Sequence, residues 1–232
     1  MRPARSSKSS RVCAYGMASD TTSRPDLSGR KPLGGHRAKK RKFYIMTRMV
    51  VSRASGFELL NERTLFQGGP PIFTSPPGRR GFREYPEVPV FLSDLRLGRT
   101  HRDFEEYHGY WFISDRMKSV LECVDPTAFE FLKCSVQLTD GREGPQRWLC
   151  DVVRVLDALD EEQSEITIRT ASDGTKVYNL FGGENFVFKE DEVGHHHVFR
   201  MMYCESTVIC DEEMRRACKA AKLAGVRFPA SL

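Results

Sequence analysis

No apolar run in the chain approaches the ~18–20 residues of a membrane-spanning helix, so nothing in the sequence points to a bilayer. The first residues lack the ~7–15-residue apolar core of a secretory leader. Neither GxxxxGK[ST] nor GxGxxG occurs, which removes the two common glycine-rich phosphate cradles. "LFGGENF" has paired glycines but no helix pattern after it, and reads as a turn. The seven cysteines show no CxxC or other ligand spacing. They fit a reducing cytosol better than a disulfide framework, and most are expected as small buried hydrophobes. A cytoplasmic protein without a membrane span is the expectation.

What is present is a sharp division of charge. The net charge of +5 conceals twelve Lys/Arg in residues 1–42 against Asp20 and Asp26, a local net of +10. The remaining residues hold 24 basic and 29 acidic side chains, a net of −5. The first segment is rich in Ser, Arg, Gly and Lys, ends in "HRAKKRK", and cannot bury enough apolar surface to offset its ordering entropy. Residues 1–42 therefore read as a disordered basic tail: a nucleic-acid arm, a targeting peptide, an idle tail, or an upstream start with Met17 as the true one. Residues 43–232 read as a single domain.

Order is expected from "KFYIMTRMVV", a β-branched and aromatic strand, with a short strand at Gly56–Leu60 pairing with it. "GGPPIFTSPPGRRGFREYPEVP" holds six of the twelve prolines, which forbids a helix interior or a central strand. Its Ile72, Phe73, Phe82 and Tyr85 should pack down on a surface, as a core-covering or a partner-binding loop. In "EFLKCSVQL", Leu132, Cys134, Val136 and Leu138 share one face at the strand period of two. "RWLCDVVRVL" is apolar on both faces and suits a central strand. Ile166–Thr170, Val177–Phe181, Asn185–Lys189, Val198–Tyr203 and Thr207–Cys210 follow as short strands. Short strands with short links predict an α+β fold, a mostly antiparallel sheet with two or three packed helices.

Two strand-to-helix corners resemble each other. In "FISDRMKSVLE" Ser114 is the expected N-cap, followed by Met117, Val120 and Leu121; in "VICDEEMRRACKAA" Asp211 is the cap, followed by Met214, Ala217 and Cys218. Both apolar sets fall at +3, +6 and +7 from the cap, so the corners are architecture rather than an active site. Asp125-Pro126 should stop the first helix, and Gly225 should supply the left-handed residue that stops the second. Ser114 lacks the Gly-x-Ser-x-Gly elbow of a nucleophile, and His101 and His108 form no triad signature with it.

Two features remain for chemistry. In "GHHHVF", His195 and His197 on a strand would share a face about 6.5–7 Å apart and could share a metal, given further ligands such as Cys204, Cys210 or Glu190–Glu192. The acidic runs "DALDEEQSE" and "KEDE", with "DFEE" at Asp103–Glu106, read either as solvated turns or as a patch that steers toward basic partners and repels nucleic acid.

In order along the chain, "FISDRMKSVLE", "FEFLKCSV", "WLCDVVRVLDALDEEQS" and "VFRMMYCESTVICDEEMRRACKAAKLAGVRF" resemble the immunity proteins of bacterial polymorphic-toxin systems, specifically the eleventh immunity family, formerly a domain of unknown function. The resemblance runs from about Phe43 to Phe228, and the Pro-rich loop matches poorly. It implies a cytosolic α+β protein, not an enzyme and without a cofactor, that binds and neutralises a cognate toxin domain. Many toxins that attack nucleic acid are basic, so the expected partner surface is Asp157, Asp160, Glu161 and Glu162 with Glu190, Asp191 and Glu192. A nucleic-acid-associated protein using the basic tail, and a metal-dependent enzyme built on His195 and His197, are the alternatives.

Overall fold

The computed structural model describes residues 40–50, 55–67, 69, 72–99, 101–180 and 185–229. The expected tail up to position 39, Pro70 and Pro71, and the glycines of "LFGGENF" lie outside the described residues.

The first half of the chain forms β1 (Phe43–Ile45), β2 (Thr47–Arg48), β3 (Phe57–Leu59), α1 (Glu62–Phe66), β4 (Val90–Ser93), β5 (Phe104–Tyr107), β6 (Tyr110–Ser114) and α2 (Asp115–Val124). Next come β7 (Phe129–Leu138), β8 (Arg147–Val152), β9 (Val155–Leu156), β10 (Thr167–Thr170) and β11 (Lys176–Asn179). The chain continues through α3 (Glu190–Val193), β12 (Val198–Met201), β13 (Cys204–Asp211), α4 (Glu212–Ala220) and β14 (Val226–Arg227). Six strands make one sheet in the order β3-β4-β7-β8-β6-β5, and a second runs β1-β13-β12-β9. Each is mixed, because β4–β7 and β12–β9 are parallel while their other pairs are antiparallel. The architecture is thus sheet-rich with four helices among the described residues, in keeping with α+β, but it is several sheets and not one mostly antiparallel sheet.

The apolar pattern explains the layering. β8 is interior to its sheet and feeds both faces: Leu149 enters one core, while Cys150 and Val152 enter another. A strand covered on both sides has no reason to alternate apolar and polar residues. The Leu149 side is covered by α1 and by the Pro-rich loop, whose Phe73 and Phe82 are buried beside Cys134 and Val136 of β7. The other side is covered by α2 and α4, through Met117, Leu121, Met214 and Cys218, together with Val198, Val208 and Cys210 of the second sheet. The opposite face of that second sheet carries Phe43, Phe199, Met201 and Ile209, under a third core formed with Ala158, Leu159, Tyr178, Phe186, Phe188 and Val193. Of the six described cysteines, Cys134, Cys150, Cys210 and Cys218 are buried. Burial pushes the Cys134 and Cys218 thiols up to about 12, so neither is a ready thiolate.

Both corners are built as capped helix starts. The Ser114 hydroxyl accepts from Met117 N–H at 3.1 Å and donates to Asp103 at 2.8 Å. Asp211 accepts from the N–H of Glu213 and of Met214, each at 3.1 Å. α2 ends at Asp125, whose N–H reaches Leu121 O at 3.0 Å ahead of Pro126. Three expectations are corrected. β3 pairs with β4 rather than β1, because β1 has β13 along one edge and, on the other, its Ile45 N–H is taken by Pro229 O at 3.1 Å. Asn185–Lys189 is no strand but a covering segment tied by one bridge, Leu159 to Phe188, since Phe186 and Phe188 turn into the third core. Lys222, with φ +51°, is the left-handed residue after α4, not Gly225. Gly225 (φ +95°) is required where the chain crosses β5, because a Cβ there would lie 2.5 Å from Phe104 O.

Candidate partner interface

The third core needs a cover, and the acidic segments supply it. Ala158 and Leu159 on one segment, and Phe186, Phe188 and Val193 on the other, point inward, which leaves the intervening carboxylates at the surface. Main-chain hydrogen bonds hold the two segments side by side: Asp160 N–H to Val187 O at 2.8 Å, Lys189 N–H to Ala158 O at 2.8 Å, and Glu165 N–H to Asn185 O at 3.0 Å. Two runs separated by about thirty positions in sequence therefore form one surface.

The seven expected residues divide by what they do there. Asp160 is half-buried and closes its own turn, accepting from the N–H of Glu162 and of Gln163 at 3.1 Å each. Glu161, also half-buried, accepts from the Lys176 ammonium and the Tyr178 hydroxyl; these bonds, the lysine's first, hold its carboxyl below the usual range. The Tyr178 hydroxyl is pushed up in turn, by burial first and then by the Glu161 bond. Asp157, Glu162, Glu190, Asp191 and Glu192 are exposed, and of these Glu190 accepts the Arg41 N–H at 3.0 Å.

The histidines are placed otherwise than expected. His195 and His197 lie in the turn between α3 and β12 and not on a strand. His195 is exposed and its ring lies tilted at 45° to that of His196, with ring centres 4.3 Å apart. The His197 ring is engaged by Asp211 at 2.8 Å, the same carboxylate that caps α4 and binds Arg41. Among the described residues no group of three or more His, Cys, Asp or Glu is arranged to hold a metal.

Inspection of the sequence missed the interior ion pairs. Asp151 of β8 is fully buried and accepts from Arg200 of β12 at 2.9 Å, from Arg80 of the Pro-rich loop at 2.7 and 3.1 Å, and from Gly81 N–H at 2.9 Å. Asp125 accepts from both nitrogens of the Arg154 fork and from the N–H of His197 and Val198. Burial raises its pKa, but those bonds outweigh burial and leave the carboxyl below the usual range. The available signal was a carboxylate in the midst of an apolar strand, as in "WLCDVV", because such a group must find a partner. Next to Arg80 and Arg200 lies a cleft of about 450 Å³ floored by Phe104 and Trp111. Its rim charges are already paired, Arg48 with Glu106 and Arg80 with Glu205, so it presents no unbalanced group to a ligand.

No helix among the described residues is long and apolar enough to cross a membrane. No curated protein matches the chain closely enough to be compared with it. The sequence profile of the immunity protein family Imm11 matches residues 42–231. That span takes in both capped corners, both larger sheets and the acidic cover, and the chain belongs to the Imm11 immunity protein family.

Proposed function

We propose that this protein is a cytoplasmic, non-enzymatic inhibitor that binds a cognate toxin domain one to one, with residues 43–232 as the binding body. Membership of an immunity family is the observation that carries the reading. Protection by stoichiometric binding calls for nanomolar affinity or better, about −12 kcal/mol. An interface of roughly 1,200–2,000 Å² with a few well-packed anchors supplies that.

The partner surface in this reading is the acidic cover: Asp157, Asp160, Glu161 and Glu162 with Glu190, Asp191 and Glu192. Its support is that the fold stitches the two runs together and turns five of the carboxylates to solvent. A predominantly acidic face raises the encounter rate with a basic, nuclease-like toxin, an effect that falls off with salt. Asp160 and Glu161 shape the surface, while the exposed five meet the partner.

The test is calorimetry against the C-terminal toxin domain encoded by the neighbouring reading frame, at two salt concentrations. Tight one-to-one binding that weakens with salt is expected. Changing Asp157, Glu162, Glu190, Asp191 and Glu192 to Asn or Gln should slow association about tenfold or more and flatten the salt dependence. Tight binding with neither effect moves the interface off this surface, and failure to bind a folded toxin domain rejects that partner and with it the toxin-binding reading.

A further inference from the structure

Strand β10 is a sheet edge left open. All four of its residues, Thr167 to Thr170, are exposed, and its ladder partner is β11. The register pairs Arg169 with Val177 and Ile168 with Tyr178, and beyond it Ala171 N–H reaches Thr175 O at 2.8 Å. Antiparallel pairs alternate between hydrogen-bonded and non-hydrogen-bonded. Arg169 is therefore the residue bonded to β11, while Ile168 and Thr170 turn their N–H and C=O groups away from it. The far side of β11 obeys the same alternation: Tyr178 N–H points off the hairpin and is taken by Tyr203 O at 2.9 Å. The hairpin is thus fixed to the body along β11 and, among the described residues, bare along β10.

It is also well anchored. Tyr178 is buried in the third core with its hydroxyl on Glu161, its ring meets Tyr203 edge-on at 5.3 Å, and Lys176 lies 3.9 Å above the Tyr203 ring. A rigid, uncovered edge is a template for strand addition, and proteins ordinarily blunt one with proline, lysine, a bulge or a covering segment. β10 is short and carries one charge, Arg169, but three of its four residues are β-branched and it has no proline, no lysine and an unbroken register. By contrast, β5, one of the two outer strands of the large sheet, has an outward group engaged, because Phe104 N–H is taken by Ala224 O at 3.1 Å. Ile168, 45% exposed, and Val177, 40% exposed, stand on opposite faces of the hairpin. Residues 157–180 hold six carboxylates and two cations, so the chemistry surrounding the edge is acidic.

We infer that β10 takes an extended, basic segment of the partner protein as an added antiparallel or parallel strand. Main-chain groups of Ile168 and Thr170 supply the pairing, and neighbouring carboxylates such as Glu162, Glu165 and Asp173 receive the segment's Lys and Arg side chains. Pairing to an edge gives affinity through the main chain and specificity through alternate side chains. This inference rests on the toxin-binding reading and names the mode of contact within it.

The experiment uses the full chain and the toxin domain from the neighbouring frame, by calorimetry and by residue-resolved amide exchange. Thr170→Pro removes an outward N–H at an edge, where proline is tolerated. It should weaken binding about 10- to 100-fold with little change in thermal midpoint, while Thr170→Ala, which keeps the N–H, stays within about threefold. In the wild-type complex, the Ile168 and Thr170 amides should exchange more slowly than in the free protein. If wild type binds, and Thr170→Pro is folded and binds equally well, the strand-addition mode is overturned while immunity stands. That mode is equally overturned if those two amides gain no protection while others do, a readout that holds even if the proline variant misfolds. If wild type does not bind the toxin domain at all, the functional reading itself fails.

Discussion

Replacing Asp151 by alanine tests whether the buried charge in the large sheet holds the two sheets and the Pro-rich loop together. The carboxylate is inaccessible to solvent and receives four hydrogen bonds, two from Arg80, one from Arg200 and one from Gly81 N–H. After truncation Arg200, whose side chain is only 5% exposed, keeps Val152 O and Glu205 O but has no carboxylate. Leaving such a cation buried and uncompensated costs about 3–5 kcal/mol. The orphaned Gly81 N–H falls within about 1–3 kcal/mol and overlaps that figure rather than adding to it. Arg80 loses less, because a quarter of its side chain is exposed and it retains Glu205 at 3.5 Å. A loss of about 4 kcal/mol is a large part of the ~5–15 kcal/mol available to a domain. For a body of this size it corresponds to a fall in thermal midpoint of about 8–16 °C. Urea unfolding followed by fluorescence reads the loss, and the double variant Asp151→Leu with Arg200→Met should regain much of it, because no buried charge is left alone. A loss below about 1 kcal/mol, or a double variant no more stable than the single, would refute the reasoning.

The two helix caps should differ in worth. Ser114→Ala removes one cap and should cost about 1 kcal/mol, whereas Asp211→Ala also takes a carboxylate partner from His197 and from Arg41, which keeps Gly194 O and His196 O, and should cost about 2 kcal/mol or more; urea midpoints compare them, and equal losses would mean that the extra partners contribute nothing. Acid should destabilise the fold in a defined window. The Glu212 carboxyl is drawn down to about 2, chiefly by the Tyr44 hydroxyl, and those of Asp125 and Glu161 also lie low. A depressed carboxyl stabilises the fold above its unfolded value of about 4 and loses that contribution as pH falls through its folded value, so stability should hold from pH 7 to 5 and decline between about 4.5 and 2. A decline that begins above pH 5.5 would point to histidine instead.

Local signals were the legible ones. The Ser114 and Asp211 caps, the Asp125-Pro126 stop and the central position of β8 follow from short-range rules, and each stands where those rules put it. Partner choice between strands was not legible, because β1 and β3 are both three residues long with an aromatic start and an aliphatic end, and neither carries a mark that sends one to β13 and the other to β4. The end of α4 misled for a similar reason. Lys222 adopts the left-handed turn without a glycine, while the glycine three positions on is required by Phe104 O, a neighbour more than a hundred residues away. The histidines looked like ligands because sequence displays spacing but not occupancy, and the His197 ring is already held by a helix cap.

Charge shows the same division between what spacing reveals and what folding decides. In sequence, Asp151, Asp125 and Asp211 look no different from Asp157 or Asp191. In the fold, the first three are each bound by two or more donors in the interior and bind strands, loop and helix to one another. Those carboxylates are neutralised by their own guanidinium and N–H partners and contribute little to the field outside. Among the described residues, the exposed ones at 157, 162 and 190–192 have no such hydrogen-bonded shield apart from the Arg41 N–H on Glu190, and they lie along one stitched pair of segments beside the hairpin of β10 and β11. An acidic body of net −5 therefore owes its directional pull less to its total charge than to which carboxylates the core has left unpaired. On the reading proposed above, a basic partner drawn to that side would meet the open edge of β10 in the same region, and electrostatic steering and main-chain pairing would act on one surface rather than on two.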